Sequence, residues 1–491
     1  SAYMGLNGVP AAANRWLLTD VLRGAWNFKG FVVSDANGVV SLKAHHLARD
    51  ARESAVRALG AGLDMEMAFG GAAFHNLPEA LAKGEIDARR LDDAVRSVIE
   101  TKIRMGLFEN PFVDEQRAAA VLGEPRHREA ARVAAQRSAV LLRNEGGLLP
   151  LSATSLKSLA VIGPLADAPR EILGPWVFDH KVDESITILA GLRSRLGKGV
   201  RVEYAQGVLL PPRRFASPFD LIPGNTPAPQ PGFDPAAEME KAVATAGNAD
   251  AVVLVLGETQ NTIGEAASRA SLALPGRQQE LLDAVVATGK PVVLLLMSGR
   301  PLDLRAAAAK VPAILDIWYP GTQGGAAVAD LLFGDAVPGG KLPFSWPRHV
   351  GQVPMIYAHL TSQDPAKSGE RYYEEESTPL FPFGFGLSYS TFVIDNLRLD
   401  RPAIAPGETL SVSVDVRNVG ARKADEVAQL YIHQRHGSAA RPVRELKGFQ
   451  RVTLGPGEKR SLTFALGPDE LRYWSSAKRD WVLEPSIFDV W

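Results

Sequence analysis

Short apolar runs alternate with longer amphipathic stretches over the first hundred residues. Asn14–Trp26 puts Leu17, Leu18, Val21 and Leu22 on one side, the spacing of a helix. The apolar run of Phe28–Asp35 predicts a strand, Arg52–Gly62 a helix, and Leu63–Met67 a second strand. Two further helices are expected over His75–Gly84 and Asp87–Phe108, with Asp87 as the N-cap of the second. This strand–helix alternation predicts an α/β architecture. Residues 113–124 read as a linker.

The next stretch opens with an expected helix over Arg126–Asn144. Near-continuous apolar runs follow at Ser158–Pro164, Arg201–Gly207, Ala249–Glu258, Pro291–Gly299 and Ala313–Pro320. Helical patterns lie between most of them, at 236–247, 277–289 and 324–334. Strands without a polar face, joined by helices, predict a mainly parallel sheet covered on both sides. One interruption, residues 209–233, is rich in proline and too long for an ordinary connection. Its Phe215, Phe219, Leu221 and Ile222 are too apolar for a free loop and are expected to pack on another subunit or at a site rim. From about residue 389 the period changes to two. Strands are expected at 410–420, 426–434, 460–466 and 480–491, the grammar of a β-sandwich. The expected domains are therefore 1–112, 125–350 and 389–491, with linkers at 113–124 and 351–388.

Length fits this division, since 491 residues exceed one ordinary core. The apolar share of 46% and charged share of 22% are those of a globular chain. With 54 basic and 55 acidic residues the formal charge is −1, so no global basic field exists for nucleic acid or for a membrane surface. The absence of cysteine excludes disulfides, thiolate nucleophiles and Cys-based metal sites. No apolar run has the length of a membrane span. The start, "SAYMGLNG", lacks a signal-peptide pattern and reads as the interior of a longer sequence.

Carboxylates are the leading chemical candidates. Asp35 closes the first apolar run, where it is either a helix N-cap or a functional group at a strand's carboxyl end. Glu258 and Glu265 lie in "LGETQNTIGEAASR", just past another strand. Each glutamate is either a solvated loop charge, an ion-pair partner of Arg269, or one of the two carboxylates that glycoside hydrolysis needs. Other patterns carry less. The glycines of 318–332 lack a phosphate-loop signature, and "PGGKLP" has Leu after its Lys. His45 and His46 are adjacent, without metal-ligand spacing. Trp176, Trp318 and Trp346 fit either core packing or stacking on a sugar ring.

The segment "SAYMGLNGVPAAANRWLLTDVLRGAWNFKGFVVSDANGV" resembles the nucleophile region of family 3 glycoside hydrolases. The resemblance continues in order through "AGLDMEM", "AQRSAVLLRNEGGLLPL", "LAVIGPLAD", "TGKPVVLLLMSGRPLDL", "WYPGTQGGAAVADLLFGDAVPGGKLPFSWP" and "LFPFGFGLSYSTF". It covers essentially the whole chain. It implies the C-terminal part of a (β/α)8 barrel over 1–112, an (α/β)6 sandwich over 125–350, and an all-β fibronectin type III-like sandwich over 389–491. It implies a retaining exo-acting β-glycosidase, foremost a β-glucosidase acting on terminal glucosyl residues of cello-oligosaccharides and β-glucosides, with β-xylosidase as the alternative. A non-catalytic carbohydrate-binding relative is the alternative of another class.

By the same resemblance Asp35, in "VSD", is the nucleophile and Glu265 the acid/base, with Tyr3, Ser34 and Arg269 contacting substrate. No cofactor or metal is implied. Two departures stand out: Ala36 follows the nucleophile where the family has Trp, and Ser268 precedes Arg269 where it has an acidic residue. Only about two barrel strands fall within residues 1–112, so the rest of the barrel is expected from a missing N-terminal portion of the same protein or from a companion chain. A homodimer is an open alternative, and the expected location is periplasmic or secreted.

Overall fold

The computed structural model describes residues 1–177, 181–212, 230–363 and 372–491. It divides into two units, Ser1–Leu122 and Gly123–Trp491. The apolar residues expected in the Pro-rich insert, Phe215, Phe219, Leu221 and Ile222, lie outside the described residues.

In the first unit the helix expected over Asn14–Trp26 forms as Trp16–Ala25, a π-helical stretch. Its wider turn shows where Trp26 N donates to Val21 O, five residues back, at 2.9 Å. Helix α1 (Ala51–Ala61) starts at Asp50, which accepts from Glu53 N at 2.8 Å, and ends at Gly62 with φ 114°. Such a left-handed stop suits glycine. Helix α2 (Leu77–Ala82) and helix α3 (Ala88–Arg104) follow. Asp87 caps α3 as expected, accepting from Arg89 N at 2.9 Å. Val39, Leu42, Ala55, Leu59, Leu63 and Ala94 are buried together as this unit's core. Within 113–124 a short helix, α4 (Glu115–Leu122), carries no buried residue.

The two strands expected at 28–35 and 63–67 are reduced to one parallel bridge, Val33 to Met65. The segments still run side by side, but among the described residues no further strand extends the pair. A two-stranded parallel ladder has too few hydrogen bonds to regularise.

The second unit opens with helix α5 (Pro125–Ser138). The helix expected to reach Asn144 stops there, and Val140–Asn144 is strand β1. Its apolar residues pair with a sheet edge, which outweighs the helical pattern of the preceding turns. Strands β2 (Ser158–Ile162), β3 (Arg201–Ala205), β4 (Ala251–Gly257), β5 (Val292–Met297) and β6 (Ala313–Asp316) complete a six-stranded sheet in the order β1-β6-β5-β4-β2-β3. All pairs are parallel except β1 with β6.

Alternate residues of the central strands enter two separate cores. Val253, Val255, Val293 and Leu295 face one side, where helices α6 (Ile188–Leu196) and α10 (Gly324–Phe333) contribute Leu192 and Leu331. Val252, Leu254, Leu294 and Leu296 face the other, against α7 (Pro235–Gly247), α8 (Gln278–Val286) and α9 (Arg305–Lys310). All seven residues of β4 are buried. Burial on both faces explains why the run reads apolar without alternation.

The C-terminal part is two three-stranded antiparallel sheets. One pairs β11 (Lys459–Leu466), β8 (Leu410–Asn418) and β7 (Phe392–Leu399). The other pairs β10 (Glu445–Leu454), β9 (Ala424–Gln434) and β14 (Phe488–Val490). A small hairpin, β12 (Tyr473–Ser475) with β13 (Asp480–Val482), lies between β11 and β14 in sequence. Val412, Leu430, Ile432, Leu454 and Leu462 form the shared core. Strands β7 and β10 were not evident in sequence. The side chains of β7 are largely exposed, and Gly448 with the basic residues Lys447 and Arg451 breaks the apolar period of β10.

Candidate active site

Asp35 sits where the first unit's parallel pair ends. Asp64 N and Met65 N donate to Val32 O at 2.9 and 3.1 Å, Ser34 N to Met65 O at 3.0 Å, and Asn37 N to Met67 O at 2.8 Å. These bonds fix the backbone on both sides of Asp35. Its side chain is exposed, and Oδ1 accepts from Ala36 N at 2.7 Å. Asn37 (φ 59°) turns the chain away, and its Oδ1 accepts from Phe69 N at 2.8 Å. Asp35 is thus no helix N-cap here. It is a carboxylate presented from a fixed turn.

The neighbours expected to contact substrate have defined partners. Tyr3 Oη donates to Ala36 O at 2.5 Å, which places the phenol against the turn that carries Asp35. Ser34 is buried, and its Oγ accepts from Met67 N at 3.0 Å, so the hydroxyl holds the parallel pair together. Asp64, which sequence reasoning passed over, anchors the same pair. Its buried carboxylate accepts from Val32 N and from Arg90 at 2.8 Å, and pairs with Arg23.

In the second unit strand β4 ends at Gly257, with φ 144°. A Cβ there would lie 1.9 Å from Met297 O, so only glycine fits. The two glutamates that follow have opposite surroundings. Glu258 is fully buried. Its Oε1 accepts from Arg269 Nη1 at 2.8 Å, and its Oε2 from Ser298 Oγ at 2.8 Å. Arg300 Nε is 3.1 Å from Oε2. Glu265 is exposed and, among the described residues, makes no hydrogen bond or ion pair. Its neighbours Gly264 (φ 95°) and Ala266 (φ 54°) are both left-handed, so the chain bends sharply on each side of it. Ala in that conformation carries about 1 kcal/mol of strain.

The alternatives left open by sequence therefore separate: Glu258 is the partner of Arg269 and Glu265 the solvated loop carboxylate. Arg269 is not turned wholly to solvent, because its Nη2 also donates to Ala273 O at 2.7 Å. Three further groups were not foreseen. Arg300 Nη2 donates to Thr262 O at 2.8 Å and Ala267 O at 3.0 Å. Glu171 Oε2 accepts from Gln260 N at 2.7 Å. Tyr319 Oη donates to Glu258 O at 2.9 Å. Burial raises the Glu171 carboxyl above its ordinary range, and it raises Tyr319 too, with Glu258 adding to the shift. The usable signal was position, since Arg300 follows the carboxyl end of β5 as Glu258 follows that of β4.

The tryptophans divide as well. Trp346 is fully buried, with its Nε1 donating to Leu302 O at 2.8 Å. Trp318 packs edge-on against Phe344. Trp176 is 59% exposed and adjoins the Glu265 turn, since a Cβ on Gly264 would lie 2.9 Å from Pro175 and 3.9 Å from the Trp176 ring. His45 and His46 are exposed.

The match to known families follows these landmarks. The model for the glycosyl hydrolase family 3 C-terminal domain matches residues 139–389, and that for the family's N-terminal domain matches 1–101. The chain belongs to glycosyl hydrolase family 3. A fibronectin type III-like domain matches 426–491. The family 3 relatives include a periplasmic β-glucosidase of Salmonella typhimurium, 39% identical over 500 residues that take in 100% of this chain and 65% of the relative. A β-xylosidase of Formosa agariphila is 38% identical, over 99% of this chain and 66% of its own length. The crystal structure of a β-glucosidase from Listeria innocua in complex with isofagomine superposes with a TM-score of 0.89 at 34% identity, over 100% of this chain and 65% of that one. The chain thus spans about two thirds of the length of these family members. No described helix is long and apolar enough to cross a membrane.

Proposed function

We propose that the intact protein is a retaining exo-acting β-glycosidase, with Asp35 as nucleophile and Glu265 as acid/base. The observation that carries this is the contrast between carboxylates. Asp64 and Glu258 are buried and neutralised by arginine, while Asp35 and Glu265 are exposed at the tips of fixed turns. Groups that attack carbon and deliver protons must be reachable and held in place. In this assignment Asp35 attacks the anomeric carbon as Glu265 protonates the departing oxygen. Water activated by Glu265 then releases the sugar from Asp35. In this proposal Tyr3, Ser34 and Arg269 act as supports of the two turns, and the exposed Trp176 is the residue assigned to stack on a sugar ring.

β-Glucosidase is the favoured activity, because the Salmonella relative and the Listeria structure both carry that name. β-Xylosidase is kept as a second reading on the Formosa relative, at nearly equal identity. A periplasmic or secreted location is part of the same proposal and rests on the Salmonella relative. Hydrolysis of a panel of nitrophenyl glycosides by the intact protein decides between the sugars. The mechanism is tested with a 2-fluoro-glucoside, which should label Asp35. A label elsewhere, or none with turnover intact, would remove Asp35 from the role.

A further inference from the structure

We infer that Glu258 is a positioning residue for Glu265, acting through Arg269 and Arg300; this rests on the acid/base assignment proposed above. One carboxylate orients two guanidinium groups, at 2.8 Å and 3.1 Å. Each arginine then extends to backbone carbonyls of the loop that carries Glu265. Arg300 reaches Thr262 and Ala267, and Arg269 reaches Ala273. Two of these carbonyls closely bracket Glu265, and the third pins the loop's return. Arginine suits the task because its rigid planar fork serves an anion and a carbonyl at once. Ser298 Oγ adds a third contact to Glu258, and Glu171 holds the loop's entry at Gln260 N.

Glu265 has no direct partner of its own among the described residues. Its placement is set by the loop, and the loop's shape by this brace. Without the Glu258 charge the two arginines, whose side chains are 19% and 18% exposed, would face each other unneutralised in a largely dry site. Their separation would release the carbonyls on either side of Glu265. Proton transfer needs heavy atoms within about 2.6–3.2 Å, and a misplacement of about 1 Å costs on the order of 100-fold in rate.

A purely stabilising role would lower the amount of folded enzyme and slow all substrates alike. A positioning role slows them in proportion to their need for a proton. Glu258→Gln in the intact protein should therefore cut kcat on a β-linked disaccharide by roughly 30- to 100-fold. The first step with a dinitrophenyl glycoside of the same sugar, which needs no acid, should change by less than about threefold. Arg300→Lys is the second variant, since an ammonium can meet Glu258 but cannot also span two carbonyls. It should show the same asymmetry, and it decides the matter if Glu258→Gln does not fold. Equal losses on both substrates, or wild-type rates, would overturn the inference. Glu265→Ala, run in parallel, isolates the underlying assignment. If it lacks leaving-group dependence, the acid/base role falls. If it shows the dependence and the brace variants do not, only the positioning role falls.

Discussion

Replacing Asp64 with Asn removes the carboxylate shared by Arg23 and Arg90 beneath the turn that carries Asp35. The Asp64 side chain is 1% exposed, and those of the two arginines 26% and 24%. Removing one partner of a buried ion pair costs about 3–5 kcal/mol. Here water reaches a quarter of each guanidinium, and Asn keeps an acceptor for Val32 N. Both effects reduce the cost, to about 2–3 kcal/mol. The loss should fall on the segments that Asp64 joins, 32–37 and 64–67. Native-state hydrogen exchange reads it directly through the amides of Val32, Ser34, Asn37 and Met65, which are bonded across that pair. A loss of about 2–3 kcal/mol corresponds to roughly 30- to 150-fold faster exchange. The amides of β4, in the other unit, should keep their rates. Exchange within threefold of the parent at those four amides would refute the view that Asp64 holds the pair together.

Two other outcomes follow from the packing. Gly257→Ala forces a Cβ to within 1.9 Å of Met297 O at a φ of 144°, and should cost more than about 4 kcal/mol; a soluble variant melting within a few degrees of the parent would contradict it. Hydrogen bonds from Ser438, through side chain and backbone, and from Tyr473 hold the Glu484 carboxyl down to about 2. An acid whose folded value is depressed stabilises fully above its unfolded value, about 4.3, and the stabilisation is lost as pH falls toward the folded value. Glu484→Gln should therefore melt below the parent at pH 7, with the gap closing between about pH 5 and 2; a gap that stays constant across that range would sink the assignment.

The sheet was legible because its strands are buried on both faces and leave uninterrupted apolar runs, as at Ala251–Leu256 and Val292–Met297. Strand β7 was not, because most of its side chains are exposed and Asp395 and Asn396 interrupt its apolar residues. The segment before Asp35 reads as a strand, but it has a single parallel partner, and a lone parallel pair forms only the bridge from Val33 to Met65. The candidate carboxylates were visible from position alone, each just past an apolar run. Which glutamate is buried was not, since that depends on Arg300 and Ser298, some forty residues further along the chain. Pairings over such distances leave no periodic trace.

The brace around the Glu265 loop grips main-chain oxygens, those of Thr262, Ala267 and Ala273. Every residue type supplies a carbonyl. The side chains at these three positions are therefore outside the brace's requirements, and drift there need not disturb the loop's course. Inheritance of the loop's shape depends instead on a few residues at strand ends, Glu258, Ser298 and Arg300, together with Arg269. On the proposed assignment of Glu265 as acid/base, the surrounding side chains can be exchanged to suit a different sugar while the geometry of proton delivery stays the same.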